Sequence, residues 1–203
     1  MKTAQYYYNE ANKLRDDYLQ FGISDEEYFE ALSKFKGNAD EAKQEVIRLY
    51  EKAIELNPNF ADAYAGLGCL CDNFNDRDEY FEKALSIIPE NEILYYKIGY
   101  HYLQLGEEEK SITNFNRGIE LFPYSWMLLS FRALAYSNDE KVEEALVDIN
   151  KAIKLDPSRP HMYFFRGSFH EQKGDIKSAI KDWEKEKELG GKAGASKLEE
   201  YSL

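Results

Sequence analysis

From residue 61 to about residue 190, apolar positions recur at steps of four and three, with one small residue set between two larger ones. The trios are Tyr64/Gly68/Cys71, Tyr95/Gly99/Tyr102, Leu129/Ala133/Tyr136 and Tyr163/Gly167/His170. Such steps place three side chains on one stripe of an α-helix, and the small one admits a close neighbour. Turn residues follow at Leu105-Gly106, Asn138-Asp139 and Lys173-Gly174. A second stripe comes next: Ser111/Phe115/Gly118, Ala145/Ile149/Ala152 and Ala179/Trp183. The pattern therefore predicts amphipathic helices in pairs.

Prolines punctuate the pairs. Pro58, Pro89, Pro123 and Pro157 stand 31, 34 and 34 residues apart and close the similar phrases LYEKAIELNP, YFEKALSIIP, FNRGIELFP and INKAIKLDP. Each ends a helix, because the residue before proline is pushed out of helical geometry. A fixed period of this length marks a stack of repeats. With its bulky, small and tyrosine slots followed by alanine, phenylalanine and proline, the chain resembles the tetratricopeptide repeat over residues 61–190. The stretches YAGLGCLC at 64–71 and YYKIGYHY at 95–102 carry the resemblance best.

The resemblance implies an all-α, right-handed superhelical solenoid in one domain. Its repeats would be 61–91, 92–125, 126–159 and 160–191, with a capping helix at 192–203 that turns Ala195, Leu198 and Tyr201 inward. The first repeat is three residues short, which predicts a trimmed turn around Asn73–Asp76. Residues 1–60 fit less regularly. Asp40–Leu56 reads as a second-type helix with Ala42, Val46, Tyr50 and Ala53 on its stripe. Upstream, residues 3–21 carry the stripe Ala4, Tyr7, Ala11, Leu14, Tyr18 and Phe21. Ser24, followed by three acidic residues, opens a further helix to about Lys36. That helix is an insertion within a first repeat, the reading favoured here, or residues 3–21 form an extra cap.

Charge and composition narrow the partners. A hydrophobic fraction of 43% rules out a disordered chain. The net charge of −12 repels phosphate backbones and anionic lipid surfaces, so neither nucleic acid nor membrane is expected as a partner. Cys69 and Cys71 point to different faces of a helix, which suits neither a disulfide nor a shared metal. The opening MKTAQYYYNEANKLRDDY lacks the apolar run of a signal peptide, and no stretch is apolar enough to span a bilayer, so a cytoplasmic location is expected.

In tetratricopeptide arrays the first helices line a concave groove. The resemblance implies that the groove slots here are Asp62, Ala65, Gly66 and Cys69; Ile93, Tyr96, Lys97 and Tyr100; Met127, Ser130, Phe131 and Leu134; and His161, Phe164, Phe165 and Ser168. The candidate partner-binding residues among them are Ile93, Tyr96, Lys97, Tyr100, Met127, Phe131, Leu134, His161, Phe164 and Phe165. This face is unusually apolar, as interaction sites are. One branch of the family grips a terminal carboxylate with lysine and asparagine in these slots. Here they hold Ala65, Cys69, Tyr96, Tyr100, Phe131 and Phe165, with Lys97 the one cation, so that function is not carried over.

No catalytic relay, metal set, cofactor loop or nucleophile elbow stands out, and no enzymatic activity or cofactor is expected. His101, His161 and His170 fall in different slots, and His170 reads as a packed core residue. The sequence thus leads to an adaptor that binds a peptide or helical segment of an unidentified protein in an aromatic-lined groove. The alternative is a structural subunit whose groove is covered by its own N-terminal helix or by a second copy in a homodimer.

Overall fold

The computed structural model describes residues 2–18 and 39–201. Eleven α-helices and no strand occur among them. They are α1 (Ala4–Tyr18), α2 (Ala39–Leu56), α3 (Ala61–Leu70), α4 (Phe74–Ile87), α5 (Glu92–Gln104), α6 (Glu108–Leu121), α7 (Trp126–Asn138), α8 (Val142–Leu155), α9 (Pro160–Gln172), α10 (Ile176–Glu188) and α11 (Gly194–Glu200). Each of α2, α4, α6 and α8 stops two residues before its proline. The chain divides into two compact units, Met1–Leu94 and Tyr95–Leu203.

In the N-terminal unit α1 packs against α2. Ala11 is fully buried there with Val46, Tyr50 and Ala53. The Tyr50 hydroxyl donates to Asn12 Oδ1 at 2.6 Å and accepts from Arg15 Nη1 at 3.2 Å. Helix α1 therefore meets α2 through Ala11, the small residue of its stripe. The helix expected over Ser24–Lys36 lies outside the described residues, as does Phe21.

The short repeat needs a correction. Its turn, residues 71–73, is as long as the turns at 105–107, 139–141 and 173–175. The three missing residues come from the helix: α3 has 10, whereas α5, α7 and α9 have 13. Cys71 thereby falls outside the helix with extended backbone, and its thiol donates to the Asn73 carbonyl at 3.5 Å. Asn73 caps α4 by accepting from the Asn75 amide.

In the C-terminal unit the small slots receive the bulky residues of the second helices. A Cβ placed on Gly99 would lie 2.7 Å from the Phe115 ring, and one on Gly167 would lie 2.5 Å from Trp183 Nε1. Ala133 can be alanine because its core neighbour is the branched but smaller Ile149. The turns repeat as closely as the core. The amides of Glu107, Lys141 and Asp175 donate back to the carbonyls of Tyr102, Tyr136 and His170 at 2.8–2.9 Å. This closure needs a left-handed residue, which is Gly106 (φ 70°), Glu140 (φ 59°) and Gly174 (φ 77°) in turn.

The C-terminal cap differs from expectation in its inward face. Ala195 is exposed, Leu198 and Tyr201 are half-buried, and Gly194 is the buried residue. The fully enclosed Glu186 carboxylate accepts from the amides of Ala193 and Gly194, so the start of the helix has to approach it closely. Tyr201 stacks on Trp183 at 5.8 Å and donates to Glu171, which also takes Lys197 at 2.9 Å.

Candidate functional site

Helices α5, α7 and α9 carry the aromatic residues of the C-terminal unit on one connected face. Tyr96 and Tyr100, one turn apart on α5, stack at 5.7 Å. Both meet Phe131 of α7 edge-on, at 4.9 and 5.4 Å. Phe131 then contacts Phe165 of α9 at 6.0 Å, and Phe164 adjoins Phe165 at 6.3 Å. All of these rings are half-buried. Burial, and then the neighbouring Tyr100, push the Tyr96 hydroxyl above its ordinary pKa, so it stays neutral.

His161 closes one end. Its ring lies 5.7 Å from Phe165, 6.3 Å from Phe131 and 5.8 Å from Trp126. Its Nε2 is buried with no hydrogen-bond partner. Loss of water at the ring, and then the Arg159 charge, hold its pKa below the ordinary histidine value. Arg159 sits over the Trp126 ring at 4.5 Å and pairs with Asp156 at 2.8 Å. Asp156, bonded by Ser158 and Arg159, is drawn down to about 2.

Tyr96, Tyr100, Phe131, His161, Phe164 and Phe165 of the expected set are thus brought together. Met127 and Leu134 are half-buried, Leu134 packing on the core of the unit. Lys97 is exposed on α5, and Ile93, 57% exposed, belongs to the N-terminal unit. Three other expected groove slots are corrected: Ala65, Gly66 and Ser130 are buried, the Ser130 hydroxyl bonding the Met127 carbonyl. His170 is half-buried rather than core, with its nitrogens 3.9 and 4.0 Å from Asp175 and Asp182.

Two features escaped the sequence reading. Trp126 joins the rings from a slot that holds Glu92 and Pro160 in the neighbouring repeats, so periodicity gave no signal for it. Behind the face runs a polar ladder. Arg132 grips Asp148 with two bonds of 2.6 and 2.8 Å and reaches Asn116 at 2.7 Å. Arg166 does the same with Asp182, at 2.8 and 2.6 Å, and with Asn150 at 2.8 Å. Each arginine therefore ties its own helix pair to the helix before it. The 34-residue offset of all three members was visible in the sequence as polar residues at matching slots.

Among the described residues no cluster of histidine, cysteine and carboxylate side chains could hold a metal ion, and no helix is long and apolar enough to cross a membrane. Neither cysteine is in a disulfide.

Comparison with known proteins agrees with the helix-pair architecture. Three models of the tetratricopeptide repeat match residues 49–78, 93–124 and 131–191. Human tetratricopeptide repeat protein 6 is 32% identical over 153 residues, which is 70% of this chain and 28% of that protein. The chain spans between 14% and 28% of the length of the curated relatives it matches. Among solved structures, MamA (41-end) from Desulfovibrio magneticus RS-1 superimposes with a TM-score of 0.63 at 19% identity, covering 92% of this chain and 94% of that one. The first repeat domain of Spaghetti (RPAP3), bound to the HSP90 peptide SRMEEVD, gives 0.51 at 26% identity over 54% of this chain and 88% of that one. With its helix pairs, its period and three separate segments matched, the chain belongs to the tetratricopeptide repeat family.

Proposed function

We propose that this chain is a protein–protein interaction scaffold. It holds an extended or helical segment of a partner protein against the ring-bearing face of α5, α7 and α9. The observation that carries this reading is the unbroken run of half-buried rings from Tyr96 through Tyr100, Phe131 and Phe165 to Phe164. A connected apolar patch of this kind on a charged molecule favours association, and aromatic residues are what interfaces concentrate at their centres. The solved Spaghetti repeat domain with its bound peptide supports a peptide-sized partner. Here the slots hold rings, so recognition rests on apolar anchors, with Lys97 and His161 adding polar selectivity.

Replacing Tyr100 and Phe131 together by alanine tests the reading. Each anchor contributes on the order of 2 kcal/mol if it is a binding hot spot, so the double variant loses partner capture while its helicity by circular dichroism is unchanged. Retained capture refutes the proposal. If light scattering shows a dimer that the same substitutions dissociate, the face is occupied by a second copy instead.

A further inference from the structure

The His161 imidazole is set into the ring cluster as part of its packing, and three observations bear on what a proton would do there. Its Nε2 is sealed from solvent and has no partner. Its neighbours are the rings of Trp126 and Phe131 from α7 and Phe165 from α9, none of which offers a strong hydrogen-bond acceptor. The charged groups acting on it are Arg159 and Asp156, both from the loop before α9; among the described residues α7 and α8 add none. Asp156 is already engaged by Ser158 and Arg159. The Trp126 ring, which could stabilise a cation, already carries the Arg159 guanidinium.

We propose that His161 is a proton-sensitive latch of this cluster: on gaining a proton the imidazole leaves its place between Trp126, Phe131 and Phe165 and releases the rings it holds together. A neutral imidazole fits this cage as a flat, weakly polar ring. An imidazolium there has a buried charged donor without an acceptor and a like charge close by, and both work against it. Moving the side chain outward gives Nε2 water and takes the charge away from Arg159. Trp126 and Phe165 then lose the ring that bridges them. The latch depends on this packing and operates whether or not the face takes a partner.

Nuclear magnetic resonance on the full chain from pH 8 to pH 5 tests it, following the His161 ring protons and the Trp126 indole N–H. The expected result is a His161 titration below pH 6.5 with a Trp126 shift at the same midpoint. In His161→Phe the Trp126 shift disappears. A Trp126 signal that stays still while His161 titrates, or a Trp126 shift that persists in His161→Phe, overturns the proposal. Should that variant lose its dispersed spectrum, the wild-type midpoints decide: coincidence supports the latch and separation overturns it.

Discussion

Glu140 is the one described residue other than glycine with positive φ, and it stands at a turn where Gly106 and Gly174 hold the equivalent places. A side chain in the left-handed region crowds its own carbonyl, which costs about 1–2 kcal/mol. Glycine removes that penalty but loses about 0.5–1 kcal/mol of backbone freedom on folding. The difference leaves Glu140→Gly more stable by about 0.5–1 kcal/mol. For a chain of this size that raises the Tm by about 1–4 °C. The reverse experiment is as informative. Gly174 has open space where a Cβ would go, so Gly174→Ala meets no neighbour and loses stability through the backbone alone, again by about 0.5–1 kcal/mol. Urea denaturation followed by circular dichroism measures both variants. Glu140→Ala keeps a side chain in the same conformation but removes the charge, so it should match the parent. If Glu140→Ala stabilises as much as Glu140→Gly, the effect belongs to charge and the backbone argument is wrong.

The polar ladder should be sensitive to loss of one partner: Arg132→Ala leaves Asp148 enclosed without its cation and costs about 3 kcal/mol in urea denaturation, whereas replacing both by apolar residues recovers most of it. Gly167→Ala drives a methyl into Trp183 and costs about 1–3 kcal/mol, read by thermal denaturation; no loss would mean that the Trp183 slot has slack. Because the folded pKa of His161 lies below its ordinary 6.5, the unfolded chain takes the proton more readily. Its contribution is therefore full above pH 6.5 and falls as the pH drops towards the folded value, and His161→Phe should flatten that part of the stability profile.

Much of this could be read from residue spacing. The apolar trios gave the first helices, and the prolines gave the ends of the second helices, because both are local: side chains four and three apart share a helical face, and proline excludes helix before it. Other features depend on which neighbour fills a slot. The shortened repeat looked like a trimmed turn, yet the turn keeps three residues and the first helix is the shorter element, with Cys71 leaving it in extended backbone. Ala195 had the right spacing to face inward, but Glu186 requires the cap's first amides, and that draws Gly194 inward instead.

The sequence by itself determined that the chain is a set of helix pairs of one family, with rings concentrated on the first helices. Only the tertiary structure decided which of those residues meet. Tyr96, Phe131 and Phe165 are 35 and 34 positions apart and touch because successive first helices lie side by side, which no local pattern encodes. The same packing brought in Trp126, buried Ser130, and left His161 Nε2 without a partner. Periodicity specifies the direction of a side chain about its own helix axis; its partners depend on the neighbouring helix, and through them its burial, charge state and use.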